Sequence, residues 1–139
     1  MAKSRRSPVR VLWVDDDARY VASVLPALSR SFTEVVHTTD PVEAWQKLTT
    51  GSFGLVILEV LVQEPPAGLI LCRRIRAEPT LAGIPVLVLS DVDDRFGFGL
   101  KDHLDRDGFL PADDFLDKGR PTAEIVARAL SLAEETDGA

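Results

Sequence analysis

Five short β-rich runs alternate with helix-like patterns, and this alternation limits the possible folds more than any other feature of the chain. The runs lie at 9–14, 33–37, 53–58, 84–89 and 115–116. Most are apolar at nearly every position, which is typical of strands that are covered on both faces. Strands separated by helices form βα units around a parallel sheet. We therefore predict an α/β fold in which helices cover both faces of a five-stranded parallel sheet.

The intervals between the runs have helical periodicity. The first helix has an apolar stripe formed by Val21, Val24, Leu25, Leu28 and Phe32. Pro26 lies inside this stripe and is expected to kink or loosen the helix.

The later helices are marked by their ends or by their apolar faces. Asp40 and Pro41 predict the start of the second helix, with Glu43 reaching back to the cap and Gly51 ending the helix. The third helix follows Gly68. The last helix begins at 122–124, and its predicted buried face consists of Val126, Ala129, Leu130 and Ala133.

Length and composition bound the class of protein. A chain of 139 residues suits one domain, which we place at 9–133, between a basic tail at 1–8 and a polar tail at 134–139. The net charge of −6 argues against a nucleic-acid-binding surface, and no apolar run is long enough for a membrane span. The single cysteine, Cys72, is expected in the core, and the absence of a signal-peptide pattern predicts a cytoplasmic location.

Polar side chains follow four of the predicted strands. Asp15, Asp16 and Asp17 follow the first strand, Glu59 the third, Ser90 the fourth and Lys118 the fifth. Ligands of parallel sheets bind outside the carboxyl ends of the strands, so these groups are candidates for one site.

The residue types suggest two ligands. Clustered carboxylates repel one another unless a cation joins them, and oxygen ligands suit Mg²⁺. A hydroxyl and an ammonium group suit the oxygens of a phosphoryl group. The simpler alternative is that the aspartates cap the first helix, which explains Asp17 well and its two neighbours poorly.

Four segments, 11–17, 53–59, 84–90 and 112–118, resemble the strand-end motifs of response-regulator receiver (CheY-like) domains. The resemblance extends over about 9–133. It implies a flavodoxin-like (βα)5 three-layer sandwich. It also implies a phosphorelay in two-component signal transduction, in which a histidine kinase transfers a phosphoryl group to an aspartate after the third strand.

The resemblance also assigns roles to particular residues. Asp15, Asp16 and the backbone carbonyl of Leu61 would hold Mg²⁺. Ser90 would sense the phosphoryl group, and Lys118 would pair with the acceptor or its phosphate. Phe115 would be the aromatic switch, although a plain core aromatic explains it equally well.

The acceptor position departs from the family because it holds Glu59 in place of aspartate. The additional methylene pushes the carboxylate into the space that the phosphoryl group would need for in-line transfer. We therefore expect Glu59 to be poorly phosphorylated or not phosphorylated, with its carboxylate near Lys118 as a partial imitation of an extended, charged acceptor. The alternative is drift in a receiver that no longer needs phosphate.

Three further departures affect the site and its surroundings. The prolines at 65 and 66 are displaced from their usual place, so the carbonyl of Leu61 is at risk of being misplaced. Gly119 stands where proline normally follows the lysine. The segment 90–112 is longer than usual and carries Phe96, Phe98 and Phe109, which form either a partner surface or a cover for the sheet edge.

Three functions remain open at this stage. The first is a stand-alone, non-enzymatic receiver that binds a protein partner, either a sensor histidine kinase or a downstream effector, with a homodimer possible. The second is a Mg²⁺-dependent phosphohydrolase of the haloacid-dehalogenase-like type, because 15–17 contains D-x-D; Ala18 and Arg19 replace the glycine and threonine expected next. The third is a receiver-fold adaptor that binds neither metal nor phosphate.

Overall fold

A computed structural model describes residues 6–63, 66–97, 99–105 and 108–137, and it contains the predicted five-stranded sheet. The strands are β1 (Ser7–Val14), β2 (Phe32–Thr38), β3 (Leu55–Leu58), β4 (Val86–Ser90) and β5 (Asp114–Asp117). They pair in the order β2-β1-β3-β4-β5, and every pairing is parallel. The order reverses between β1 and β3, and the carboxyl ends of strands at such a reversal are where open α/β sheets bind their ligands.

Helices cover both faces of the sheet. They are α1 (Ala18–Ser31), α2 (Pro41–Thr50), α3 (Ala67–Ala77), α4 (Val92–Phe96) and α5 (Thr122–Asp137). One apolar cluster joins the sheet to α1 and α5, and the other joins it to α2 and α3. Alternate residues of β1 point into opposite clusters, with Leu12 on the α2–α3 side and Trp13 on the α1–α5 side. The predicted flavodoxin-like three-layer sandwich is confirmed.

The second helix begins as its sequence predicts. The Asp40 side chain accepts a hydrogen bond from the Val42 N–H at 2.9 Å, Pro41 is the first helical residue, and Gly51 caps the end. Glu43 instead accepts from the Thr38 hydroxyl, so it ties the helix to the end of β2.

Two details of the helical prediction are wrong. Phe32 begins β2 rather than closing the stripe of α1, although the helix does continue through Pro26. The buried face of α5 consists of Ile125, Ala129, Leu132 and Ala133, with Val126 and Leu130 only partly buried. Apolar residues stand at 125, 126, 129, 130, 132 and 133, and this broad stripe left the centre of the face ambiguous.

The elements extend slightly beyond the predicted domain. β1 begins at Ser7 and α5 continues to Asp137, whereas the domain was placed at 9–133. The assignment of the flanking residues as tails stays a prediction. Within the described residues, no helix is both long and apolar enough to cross a membrane.

The long segment after β4 is built from short pieces. α4 has 5 residues, a 3-10 helix follows at Leu100–His103, and Leu104 pairs with Leu110 in an isolated bridge. Phe109 stacks against the guanidinium group of Arg73, 5.0 Å from its ring centre, while about half of its surface remains exposed. Pro65 and Phe98, which also entered the sequence argument, lie outside the described residues.

A nearly buried arginine fixes the entry to β4 and β5. Arg76 donates to the carbonyls of Pro111, Ala82 and Ile84 and to the Asp113 carboxylate. Asp113 also accepts from the Val86 N–H at 2.7 Å. Because Val86 opens β4 and Asp113 immediately precedes β5, this cluster sets the two strands whose far ends carry Ser90 and Lys118.

We predict that Arg76→Met lowers the free energy of unfolding by about 3–5 kcal/mol, because it removes the cation beside the largely buried Asp113 carboxylate and a donor to three carbonyls. Urea denaturation measures this loss. Arg95→Met is the matched control, since Arg95 is exposed and pairs only loosely with Asp91 at 3.8 Å. Its effect should stay within about 0.5 kcal/mol. Equal losses in the two variants would contradict the role given to Arg76.

Candidate functional site

The strand register brings the predicted polar residues to one rim of the sheet. Val14 and Leu58 are register partners, so Asp15 and Glu59 follow neighbouring strands at the same level. Ser90 is the register partner of Asp117, and the Lys118 N–H donates to the Ser90 carbonyl at 3.1 Å. Asp15, Glu59, Ser90 and Lys118 therefore lie together, as expected from the sequence.

Lys118 is the centre of the site. Its Nζ donates to Asp15 Oδ1 at 3.2 Å, lies 2.9 Å from Asp15 Oδ2 and 3.0 Å from Glu59 Oε1, and reaches Asp17 more loosely at 3.8 Å. The side chain is 8% exposed. Burial works against its charge, but the hydrogen bond to Asp15 and the charges of Glu59 and Asp15 outweigh burial and raise the pKa of Lys118.

Glu59 uses both oxygens of its carboxylate. While Oε1 faces Lys118, Oε2 accepts from the Leu61 N–H at 2.9 Å and from the Ser90 hydroxyl at 2.5 Å. The residue is buried. The expected proximity of Glu59 and Lys118 is observed, and the hydroxyl of Ser90 joins them.

Asp15 is fully buried and is tied to its own chain segment. Its Oδ1 accepts from the Asp17 N–H at 2.9 Å, and its backbone carbonyl lies 2.7 Å from Nε2 of His37. Burial raises the pKa of the Asp15 carboxyl, and the hydrogen bonds from Asp17 and Lys118 oppose this shift without cancelling it.

The other two aspartates have separate tasks. Asp17 caps α1, because its side chain accepts from the Tyr20 N–H at 3.1 Å; this is the capping that the sequence predicted for it. Asp16 is exposed, and its Oδ2 accepts from the Gln63 N–H at 2.7 Å. The three aspartates therefore have different roles. Asp15 is the buried counter-ion of Lys118, Asp16 binds the loop after β3, and Asp17 caps α1.

Leu61 and Phe115 complete the predicted set. The contact that ties Leu61 to the site is its N–H, which donates to Glu59. Phe115 is 6% exposed and lies in the same apolar cluster as Val88 and Val92. Its ring is therefore turned inward.

Tyr20 and Gln63 also belong to the site, although neither is predicted from the sequence. The Lys118 Nζ lies 4.7 Å from the centre of the Tyr20 ring, so the ring covers another side of the ammonium group. Gln63 has a φ of 54°, which is rare outside glycine, and its side chain donates to the Thr39 carbonyl at 3.1 Å. No sequence pattern marks either residue, because their roles depend on contacts between segments that are far apart in the sequence.

Known proteins share both the sequence and the fold. No protein-family model matches the chain. The response regulator MprA of Mycobacterium sp. (strain KMS) is 33% identical over 132 residues, which are 93% of this chain and 52% of that protein. A response regulator structure from Chloroflexus aurantiacus has 26% identity and a TM-score of 0.70, covering 91% of this chain and 98% of that one.

The chain belongs to the CheY-like response-regulator receiver family. A receiver domain protein from Methanospirillum hungatei supports the fold, with a TM-score of 0.72 at 18% identity over 95% of this chain and 98% of that one. This receiver spans about half the length of the first relatives that it matches.

The acidic side chains of this receiver are not arranged like the Mg²⁺ site that is common in the family. The buried oxygens of Asp15 and Glu59 face one ammonium group and three N–H or O–H donors, while Asp16 turns to the loop after β3. Among the described residues, no three acidic, histidine or cysteine side chains converge as metal ligands do. Asp15 Oδ2 accepts no hydrogen bond and faces the Lys118 ammonium group at 2.9 Å, so Mg²⁺ would compete with Lys118 at this oxygen and with N–H or O–H donors at the other oxygens of Asp15 and Glu59.

The position of Glu59 also depends on a close helix contact. A Cβ on Gly68, in the first turn of α3, would lie 2.7 Å from the Glu59 carbonyl oxygen and 2.7 Å from the Cα of Val60. Only glycine allows α3 to pack this closely on the segment that carries Glu59.

We predict that Gly68→Ala lowers the free energy of unfolding by about 1–3 kcal/mol, because backbone must move to admit the methyl group. It should also shift the amide resonances of Glu59 and Val60 in ¹H–¹⁵N spectra. Gly83→Ala is the matched control, since a Cβ there meets nothing within 4 Å. If both variants behaved alike, the close approach at Gly68 would not be the constraint.

Proposed function

We propose that this receiver works in two-component signalling as a module whose state is set by Glu59 rather than by phosphoryl transfer. The observation that carries the proposal is the position of the Glu59 carboxylate. It bonds to Ser90 and Lys118, the two side chains that the family resemblance assigns to the phosphoryl group and its acceptor. The carboxylate thus takes the place that an incoming phosphoryl group would need.

The same geometry works against phosphorylation of Glu59. In-line attack needs a free carboxylate oxygen that faces the phosphorus atom. Both oxygens of Glu59 are instead held by Leu61, Ser90 and Lys118 in a buried site. An incoming phosphoryl donor would have to break these contacts before reaction could begin.

The state of the site reaches α4 through one hydroxyl. Ser90 donates to Glu59 and also accepts from the Val92 N–H at 3.1 Å, and Val92 is the first residue of α4. Phe115, the expected switch aromatic, is packed inward in the apolar cluster that also contains Val92. We propose that Glu59, Ser90 and Phe115 together hold one fixed arrangement of the surface around α4.

A module of this kind acts through protein contacts. We propose as partner a sensor histidine kinase or a downstream effector, with cytoplasmic location and possible homodimers, because the curated relatives are regulators and response regulators. We propose no DNA-binding role, because a net charge of −6 works against binding to phosphates.

The phosphohydrolase alternative gains no support from the geometry. It requires Asp15 as nucleophile and Asp17 as acid. Asp15 is fully buried against Lys118, and Asp17 caps α1 through the Tyr20 N–H. We therefore propose a non-enzymatic role.

Acetyl phosphate with Mg²⁺ tests the central claim. Intact-mass measurement should show no phosphoryl adduct on this chain, and its ¹H–¹⁵N spectrum should stay unchanged. The reason is that Leu61, Ser90 and Lys118 already hold both oxygens of the Glu59 carboxylate. A receiver with an aspartate acceptor, treated in parallel, shows that the reagent is active. A stoichiometric adduct that disappears in Glu59→Ala would overturn the proposal.

The link from Glu59 to α4 has its own test. Ser90→Ala should lower the free energy of unfolding by about 1–3 kcal/mol, because it removes one of the two donors to the buried Glu59 Oε2 and leaves the Val92 N–H without its acceptor. It should also move the amide resonances of 92–97. Ser23→Ala is the control, since Ser23 is exposed and donates only to the Tyr20 carbonyl within its own helix. Unmoved resonances in the Ser90 variant would refute the link.

A further inference from the structure

We infer that the Lys118 ammonium group is the resident cation of this rim, and that it holds Asp15 and Glu59 together in place of a divalent metal ion. The inference deepens the proposed function, because it concerns the same site. It rests on three observations: the bonding of the ammonium group, the charge balance of the buried pair, and the separate engagement of Asp16.

The ammonium group of Lys118 is surrounded by acceptors. Asp15 and Glu59 each lie within about one hydrogen-bond length, at 2.9 and 3.0 Å for the nearest oxygens. The ring of Tyr20 is 4.7 Å away. A lysine ammonium has three hydrogens, and two carboxylates and one aromatic face are three partners for them. The group is therefore fixed as a cation between two elements of the sheet, much as a metal ion would be.

The charge balance makes some cation necessary at this point. Asp15 and Glu59 are 0% and 3% exposed, so water screens their mutual repulsion poorly. Two carboxylates at this depth would otherwise push one another toward the neutral form. Lys118, 8% exposed, follows β5 at the edge of the sheet and supplies one positive charge between the two carboxylates.

The third carboxylate that a magnesium site would use is directed elsewhere. Asp16 accepts from the Gln63 N–H at 2.7 Å, and the left-handed backbone of Gln63 keeps that N–H in place. Mg²⁺ requires oxygens in near-octahedral positions at roughly 2.0–2.1 Å. Such a shell would compete with Lys118 for the oxygens of Asp15 and Glu59.

Thermal unfolding of the full chain in millimolar MgCl₂, compared with NaCl of equal ionic strength, tests the inference. For the unaltered chain we expect no difference in Tm between the two salts. Lys118→Met should lower the Tm on the order of 10 °C in NaCl, because it leaves the buried carboxylates of Asp15 and Glu59 without their cation. MgCl₂ should restore part of this loss, since a divalent ion can then enter between them.

Lys101→Met is the matched control, because it removes the same charge from an exposed side chain that lies 3.6 Å from Asp117. Its Tm should stay within about 2 °C of the unaltered chain in both salts. If Lys118→Met is unfolded in NaCl, circular dichroism in MgCl₂ asks whether the metal restores the fold, and restoration is the expected result.

Two results would overturn the inference. One is a saturable, magnesium-specific rise in the Tm of the unaltered chain, which would show that a metal ion already shares the site with Lys118. The other is a Lys118→Met variant that gains nothing from MgCl₂ beyond the effect of NaCl. Neither result depends on whether acetyl phosphate modifies Glu59, so failure of this inference and failure of the proposed function can be told apart.

Discussion

The contact of one buried ammonium group with two buried carboxylates is the constraint on which the rest of the rim depends. Lys118 joins the end of β5 to the ends of β1 and β3, and these strands are not all neighbours in the sheet. Buried ion pairs contribute little net stability, but removing one partner is costly. The surrounding loops are therefore arranged to keep all three groups in contact, and the secondary contacts from Ser90, Leu61 and Asp17 follow from that requirement.

The scaffold beneath the rim keeps these contacts in register. Arg76 and Asp113 tie the entry of β4 to the entry of β5, and the parallel pairing of the two strands carries this register to Ser90 and Asp117. Gly68 lets α3 press on the segment that carries Glu59. The functional geometry thus depends on side chains at both ends of the sheet and not only on those that face the ligand crevice.

Much of the fold could be predicted because its signals are local. Continuous apolar runs indicate buried strands, and Asp40-Pro41 indicates a helix start, regardless of what packs against them. The meeting of Asp15, Glu59, Ser90 and Lys118 could also be predicted, because parallel strands end at a common edge. The orientations of the side chains could not be predicted. Gln63 has an unusual positive φ, the Tyr20 ring lies over the Lys118 ammonium group, and Asp16 accepts a hydrogen bond from a loop amide. The face of α5 was misjudged because apolar residues occupy more than one stripe.

The brevity of α4 limits how far any movement at the rim can travel. At 1.5 Å per residue, a helix of five residues is only about 7–8 Å long, and Gly97 ends it in a left-handed conformation with a φ of 68°. A displacement of Ser90 can therefore be transmitted along α4 over only this short distance. Under the proposed function, a protein partner would therefore have to make contact within a few residues of the strand ends, rather than at the distant tip of a long helix.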